Sequence, residues 1–126
     1  KEQDIQNVIA EIKSSGKPLI GVINNAGVSK GPVKTIEFGT FEDFKFHFEV
    51  NTFGVIRVTQ PLLPLLRQSN GRVLIVSSIY GKVAPPRTAA YSSSKHAIEG
   101  FADVLRREVA PTGISVSVIE PGFLAS

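Results

Sequence analysis

Three uninterrupted apolar runs, each closed by small or turn-forming residues, restrict this chain to very few folds. Leu19-Ile20-Gly21-Val22-Ile23 ends in Asn24-Asn25-Ala26-Gly27, and Arg72-Val73-Leu74-Ile75-Val76-Ser77 is bounded by Asn70-Gly71 and Ser78. Ile114-Ser115-Val116-Ser117-Val118-Ile119-Glu120 ends in Pro121-Gly122. Hydrophobicity that is continuous rather than alternating is the pattern of buried parallel strands. Segments of helical periodicity lie between the runs, as parallel strands require of their crossovers. In an open parallel sheet ligands bind beyond the carboxyl ends of the strands, so the three closing segments are expected to share one crevice.

The helices are legible from spacing. Residues 1–17 read as one amphipathic helix, with Ile5, Val8, Ile9 and Ile12 at i, i+3, i+4 and i+7 and a stop at Gly16. Thr40-Phe41-Glu42-Asp43 is a capping signal for helical sequence that continues to about Gln68, with a break near Phe48–Asn51 and a kink or tightening at Pro61 and Pro64. After Pro85-Pro86, Tyr91, Lys95, Ile98, Ala102, Leu105 and Val109 recur at helical spacing. Phe38, Phe41, Phe44, Phe46, Phe48 and Phe53 supply more aromatic surface than one helix face can bury.

That third helix puts Tyr91 and Lys95 one turn apart on one face. A free tyrosine titrates near pH ~10, and a cation within ~4–6 Å favours its phenolate. Ser78, leaving a strand at its carboxyl end, can hold a substrate oxygen against that phenol while Tyr91 gives or takes a proton. By spacing to Tyr91, Ser78 is the catalytic serine and Ser77 a structural one. A tyrosine four places before a lysine is, in isolation, more often a solvated helix face; the companion motifs change that weighting. Asn51 within the preceding helical stretch, taken alone, reads as a residue that bonds back to its own helix. His47 and His96 lack Cys, Asp or Glu at ligand spacing, so they read as surface histidines and no metal is expected. Tyr80 and Lys82 read as solvated loop residues without a catalytic role.

Together, Asn24-Asn25-Ala26-Gly27, Asn51-x-x-Gly54, Ser78, Tyr91-x-x-x-Lys95 and Pro121-Gly122 resemble the short-chain dehydrogenase/reductase family, in family order and across most of the 126 residues. The resemblance implies an α/β fold, a three-layer Rossmann-type doubly wound parallel sheet, here incomplete, with residues 1–126 as part of one NAD(P)-binding domain. It implies reversible oxidation of an alcohol to a ketone or aldehyde with NAD or NADP. Tyr91 is then the acid/base, Lys95 its partner and the holder of the nicotinamide ribose, and Ser78 polarises the substrate oxygen. Asn51 places a water that links Lys95 to solvent. Asn24, Asn25, Ala26 and Gly27 line the cofactor floor, Pro121 and Gly122 flank the nicotinamide, and Ser126 falls where many members have a threonine on the carboxamide. A homodimer or homotetramer is implied in the same way. The stretch Ala102 to Phe123 looks most like members acting on hydroxysteroids, retinol or 3-hydroxybutyrate.

The family's opening glycine-rich turn, whose backbone approaches the pyrophosphate at a helix N-terminus, has no counterpart here. With no methionine anywhere, the chain reads as an internal segment that begins after that turn. The choice between NAD and NADP is therefore unreadable, and an apolar parallel edge is expected beside Leu19–Asn24. A truncated, catalytically incompetent association module is the competing reading. An epimerase or dehydratase of the extended branch is a third, which Asn24-Asn25-Ala26-Gly27 argues against. The formal charge of +3 is carried by scattered basic residues, without the aromatic-interleaved stripe of a nucleic-acid partner. Zero cysteines exclude disulfides within these residues. Phe53–Leu66 is interrupted by Arg57 and Gln60 and too short to span a bilayer. A cytoplasmic location is expected, with membrane attachment only through a segment outside this sequence.

Overall fold

The computed structural model describes residues 2–29 and 34–122. The three apolar runs become strands β1 (Gly21–Asn24), β2 (Arg72–Val76) and β3 (Ser115–Ile119), paired in the order β1-β2-β3 and parallel throughout. Val73 stands between Val22 and Val116, and Ile75 between Asn24 and Val118. A slip of one residue would turn Val73 and Ile75, 1% and 0% exposed, out of the core.

Helix α1 (Glu2–Ser14) precedes β1, and Gly16, at φ 71, turns the chain out of it. Between β1 and β2 run α2 (Phe41–Phe48), a five-residue π turn (Glu49–Phe53) and α3 (Gly54–Ser69). Thr40 caps α2 by accepting a hydrogen bond from the Asp43 N–H at 3.2 Å. The break expected near Phe48–Asn51 is this π turn, and it does not interrupt the helix: Phe48 and Gly54 on either side keep helical φ and ψ. One extra residue per turn rotates Asn51 and Thr52 inward, where they are 1% and 4% exposed. Helix α3 continues through Pro61 and Pro64. Helix α4 (Ala89–Val109) joins β2 to β3.

Right-handed crossovers that step across a parallel sheet in one direction deliver their helices to one face. Accordingly α1 lies on α3, α3 on β1 and β2, and α4 on β3. The core is the seam between this layer and the sheet: Leu62 and Leu66 from α3, Ile98, Ala102 and Leu105 from α4, and Val73, Ile75 and Val116 from the strands. The predicted α4 stripe is the buried one, since Lys95, Ile98, Ala102, Leu105 and Val109 are all buried. On the opposite face Ile23, Leu74 and Ser117 share a register row, and Ile23 is 69% exposed. Of the three layers expected, the described residues supply two, the sheet and one layer of helices. Phe38 and Phe41 remain largely exposed, in line with the excess of aromatic surface on this stretch.

Candidate active site

Ser77 and Ser78 carry the chain off the carboxyl end of β2. Ser78 is extended, and its Oγ accepts a hydrogen bond from the Tyr80 N–H at 3.1 Å, capping the 3-10 turn Ile79–Gly81. That bond leaves the Ser78 hydroxyl proton available for an oxygen in front of it. The next residue, Ile79, donates its N–H to the Pro121 carbonyl at 3.1 Å, which holds Pro121-Gly122 beside Ser78. Tyr91, half-buried in the first turn of α4, closes the group. A cavity of about 370 Å³ is lined by Ser78, Tyr91, Pro121 and Gly122, together with His47 and Arg87.

Behind Tyr91, Lys95 is 4% exposed. Its Nζ donates to the Val76 carbonyl at 3.2 Å and stands 5.8 Å from the centre of the Tyr91 ring. Burial pulls the Lys95 pKa below its ordinary value, and the nearby Glu99 carboxylate opposes the shift. Asn51 reaches the same place from the π turn. Its Nδ2 donates to the Val28 carbonyl at 2.9 Å and to Ser94 Oγ at 3.1 Å, and its Oδ1 accepts from the Val28 N–H at 2.7 Å. Gly27 completes the convergence: a Cβ there would stand 3.2 Å from Lys95 Nζ and 3.4 Å from Asn51 Oδ1. Only a residue without a side chain leaves that space open.

Of the residues singled out in the sequence, Ser78, Tyr91, Pro121 and Gly122 meet at the cavity, while Gly27, Asn51 and Lys95 meet behind Tyr91. Asn25 and Ala26 are exposed next to Gly27. Asn24 points elsewhere: its Nδ2 donates to Thr59 Oγ1 at 2.9 Å in a buried bond that ties β1 to α3. Ser126 lies outside the described residues. Two expectations are corrected. His47 is 4% exposed, not a surface residue, and its ring meets Tyr91 edge-on at 6.4 Å because the face of α2 that carries it packs on α4. Tyr80 is half-buried, not a freely solvated loop residue; its ring stands 6.0 Å from that of Tyr91 at 78°.

Ser94 was not singled out, yet it is fully buried and links Asn51 to α4, donating to the Tyr91 carbonyl at 2.7 Å. Thr52 adds a bond to the Ser94 carbonyl at 2.8 Å. The only sequence signal for Ser94 is its place next to Lys95. Among the described residues no group of three or more His, Cys, Asp or Glu is arranged to hold a metal ion, and no helix is long and apolar enough to cross a membrane.

The family model described as short chain dehydrogenase matches residues 1–126. The chain belongs to the short-chain dehydrogenase family. It is 40% identical over 126 residues to mitochondrial D-beta-hydroxybutyrate dehydrogenase of Rattus norvegicus, covering 99% of this chain and 36% of that enzyme. It is 43% identical over 122 residues to retinol dehydrogenase 5 of Homo sapiens, covering 97% of this chain and 37% of the relative. The chain thus spans well under half the length of these short-chain dehydrogenases. Its fold is shared with solved structures of the same Rossmann-type class. ElxO with NADP bound superposes with a TM-score of 0.91 at 27% identity, covering 99% of this chain and 50% of that one. NAD+-bound xylitol dehydrogenase superposes with a TM-score of 0.89 at 28% identity, covering 100% and 48%.

Proposed function

We propose that the whole protein is an NAD(P)-dependent oxidoreductase that interconverts an alcohol and its ketone or aldehyde, with Tyr91 as acid/base. The observation that carries this reading is one cavity onto which Ser78 and Tyr91 both open, with the Lys95 ammonium standing 5.8 Å from the Tyr91 ring on its buried side. The nicotinamide, when bound, supplies or accepts the hydride. The absence of a side chain at Gly27 keeps the approach to Lys95 Nζ and Asn51 Oδ1 unobstructed; Lys95 takes the ribose of such a cofactor, and exposed Asn25 and Ala26 extend its floor. Pro121 and Gly122 flank the ring.

Each chain residue then has a physical task. Ser78 donates its hydroxyl proton to the substrate oxygen, oriented by the bond its Oγ accepts from Tyr80. Tyr91 takes the alcohol proton as the alcohol is oxidised and returns it on reduction. Lys95 holds the ribose and favours negative charge on the phenol oxygen. Asn51 retains a lone pair on Oδ1, beyond the one used by Val28, with which to hold a water on the path from Lys95 to solvent. Hydroxysteroids, retinoids and hydroxy acids are the substrate classes we place first, in line with the relatives. We place the protein in the cytoplasm as a homodimer or homotetramer.

The test is binding of NADH and NADPH by the whole protein, followed by oxidation of 3-hydroxybutyrate, retinol and a hydroxysteroid. Turnover of any of these that is lost in Tyr91→Phe while nucleotide binding persists supports the reading. A folded whole protein that binds neither nucleotide overturns it in favour of a non-catalytic association module.

A further inference from the structure

Arg87 sits in the loop between the 3-10 turn and α4 with its backbone in the left-handed region, at φ 70. Among the described non-glycine residues only Asn70 shares that conformation, which a bulky side chain rarely adopts. Strain of this kind persists where the surroundings enforce it, and it gathers at ligand sites. The enforcement comes from Thr88. Its Oγ1 donates to the Pro85 carbonyl at 2.7 Å, closing a turn around Pro86 and Arg87, and meets Ser92 Oγ at 2.6 Å, fastening that turn to α4. The Arg87 side chain is exposed, and it lines the same cavity of about 370 Å³ as Ser78 and Tyr91.

Charge around that cavity is unbalanced. Its lining carries two cations, Arg87 and Lys34, against one carboxylate, Asp43. Ion pairs among the described residues join Lys45 to Glu42, Arg57 to Glu49, Lys82 to Glu99 and Glu120, and Arg106 to Asp103. Arg87 and Lys34 belong to none of them. The same wall includes Ile36, Phe44 and Ile79, which offer apolar surface to a carbon skeleton. A small space lined at once by a proton-transfer pair, apolar side chains and a guanidinium outside any ion pair suits a ligand that is part hydrocarbon and part anion. Arginine stays charged at any pH a protein tolerates, and its planar fork takes a carboxylate through two parallel hydrogen bonds. We propose that Arg87 is a specificity-determining residue that receives a carboxylate of the substrate, so that of the three classes placed first above the protein acts on hydroxy acids. The inference rests on the dehydrogenase reading and narrows it. Retinol and hydroxysteroids are neutral, and their carbon skeletons would take water from the guanidinium without supplying a partner.

The test is calorimetric binding of 3-hydroxybutyrate and of its methyl ester to the whole protein loaded with NADH or NADPH. With both nucleotide and substrate reduced no hydride is transferred, so affinity is read without turnover. The ester keeps the hydroxyl and the carbon chain and lacks the charge. The acid binds about tenfold or more tighter than the ester. R87M, which nearly keeps the side-chain length and removes the charge, weakens the acid by about 10–100-fold, the range for a hydrogen bond to a charged group, and brings it to the affinity of the ester. R87K, a point charge in place of the fork, recovers part of the loss. Equal affinity of acid and ester in the wild type, equal weakening of both in R87M, or binding of retinol or a hydroxysteroid in preference to the acid overturns the inference and leaves the dehydrogenase reading standing. Failure of the nucleotide-loaded protein to bind the acid does the same. If R87M does not fold, the wild-type comparison of acid and ester decides alone. A folded whole protein that binds neither nucleotide overturns the dehydrogenase reading, and this inference with it.

Discussion

Asn51 clasps Val28 by both halves of its backbone, accepting from its N–H at 2.7 Å and donating to its carbonyl at 2.9 Å. A side-chain amide used in this way acts as one rung of a sheet ladder, and it fixes the loop after β1 against the π turn. Gly27, immediately before, is thereby held at Lys95. Asn51→Ala strips both Val28 groups of their partners and should cost about 1–3 kcal/mol of stability. Urea unfolding of the whole protein measures it, and a loss much smaller than this would mean that water replaces the amide without penalty.

Tyr91→Phe removes one oxygen from a half-buried ring and leaves its edge contacts with His47 and Tyr80 intact. Turnover should fall by about 10²–10⁴-fold, the range for loss of a positioned acid/base, with nucleotide affinity nearly unchanged. Steady-state rates beside direct nucleotide binding separate the two. Turnover close to wild type would remove Tyr91 from the chemistry.

Lys95→Met tests the cost of the buried cation. Because burial lowers the Lys95 pKa from the ordinary 10.5, the unfolded chain binds more protons than the folded one between the lowered value and 10.5. Stability contributed at this position is therefore smallest below the folded pKa and rises with pH through that window. Met should be more stable than Lys at neutral pH by about 1 kcal/mol, a common gain when a functional site is relieved, and the advantage should shrink as pH rises. Unfolding free energies of both forms at neutral and alkaline pH check the sign. An advantage that grows with pH would contradict it.

Gly81→Ala places a methyl group 2.7 Å from Ser77 Oγ and 2.9 Å from both Glu99 Cγ and Oε2. Real Cβ atoms essentially never show such contacts, so either the 3-10 turn or the Ser77 and Glu99 side chains must shift. Overpacking of this kind costs about 1–3 kcal/mol. Since Ser78 caps the same turn, nucleotide-dependent activity should fall with it. A lower thermal midpoint with unchanged activity would show that the turn moves without carrying Ser78.

Much of the scaffold was legible because it rests on local periodicity. The continuous hydrophobicity of Val73 to Val76 and the spacing of Tyr91, Lys95, Ile98, Ala102 and Leu105 are statements about neighbours in the chain, and both are met in the structure. Two misreadings share a cause. His47 and Tyr80 were read from their own residue types and local position, and both are buried or half-buried because α2 and the 3-10 turn pack against α4. Where a helix break was expected, near Phe48–Asn51, the chain accommodates an extra residue as a π turn without ending the helix.

From sequence alone came the parallel strands, the helices that join them, the adjacency of Tyr91 and Lys95 and the motif order that marks the family, since each follows from chain-local spacing. Tertiary structure alone decided that Asn51 reaches Val28, 23 residues back, and Ser94, 43 residues on, that Asn24 turns to Thr59 and not to the crevice, and that Glu99 meets Glu120 at Lys82. Those contacts depend on strand register and on the rotation of one helix against another, which no periodicity within a single segment encodes.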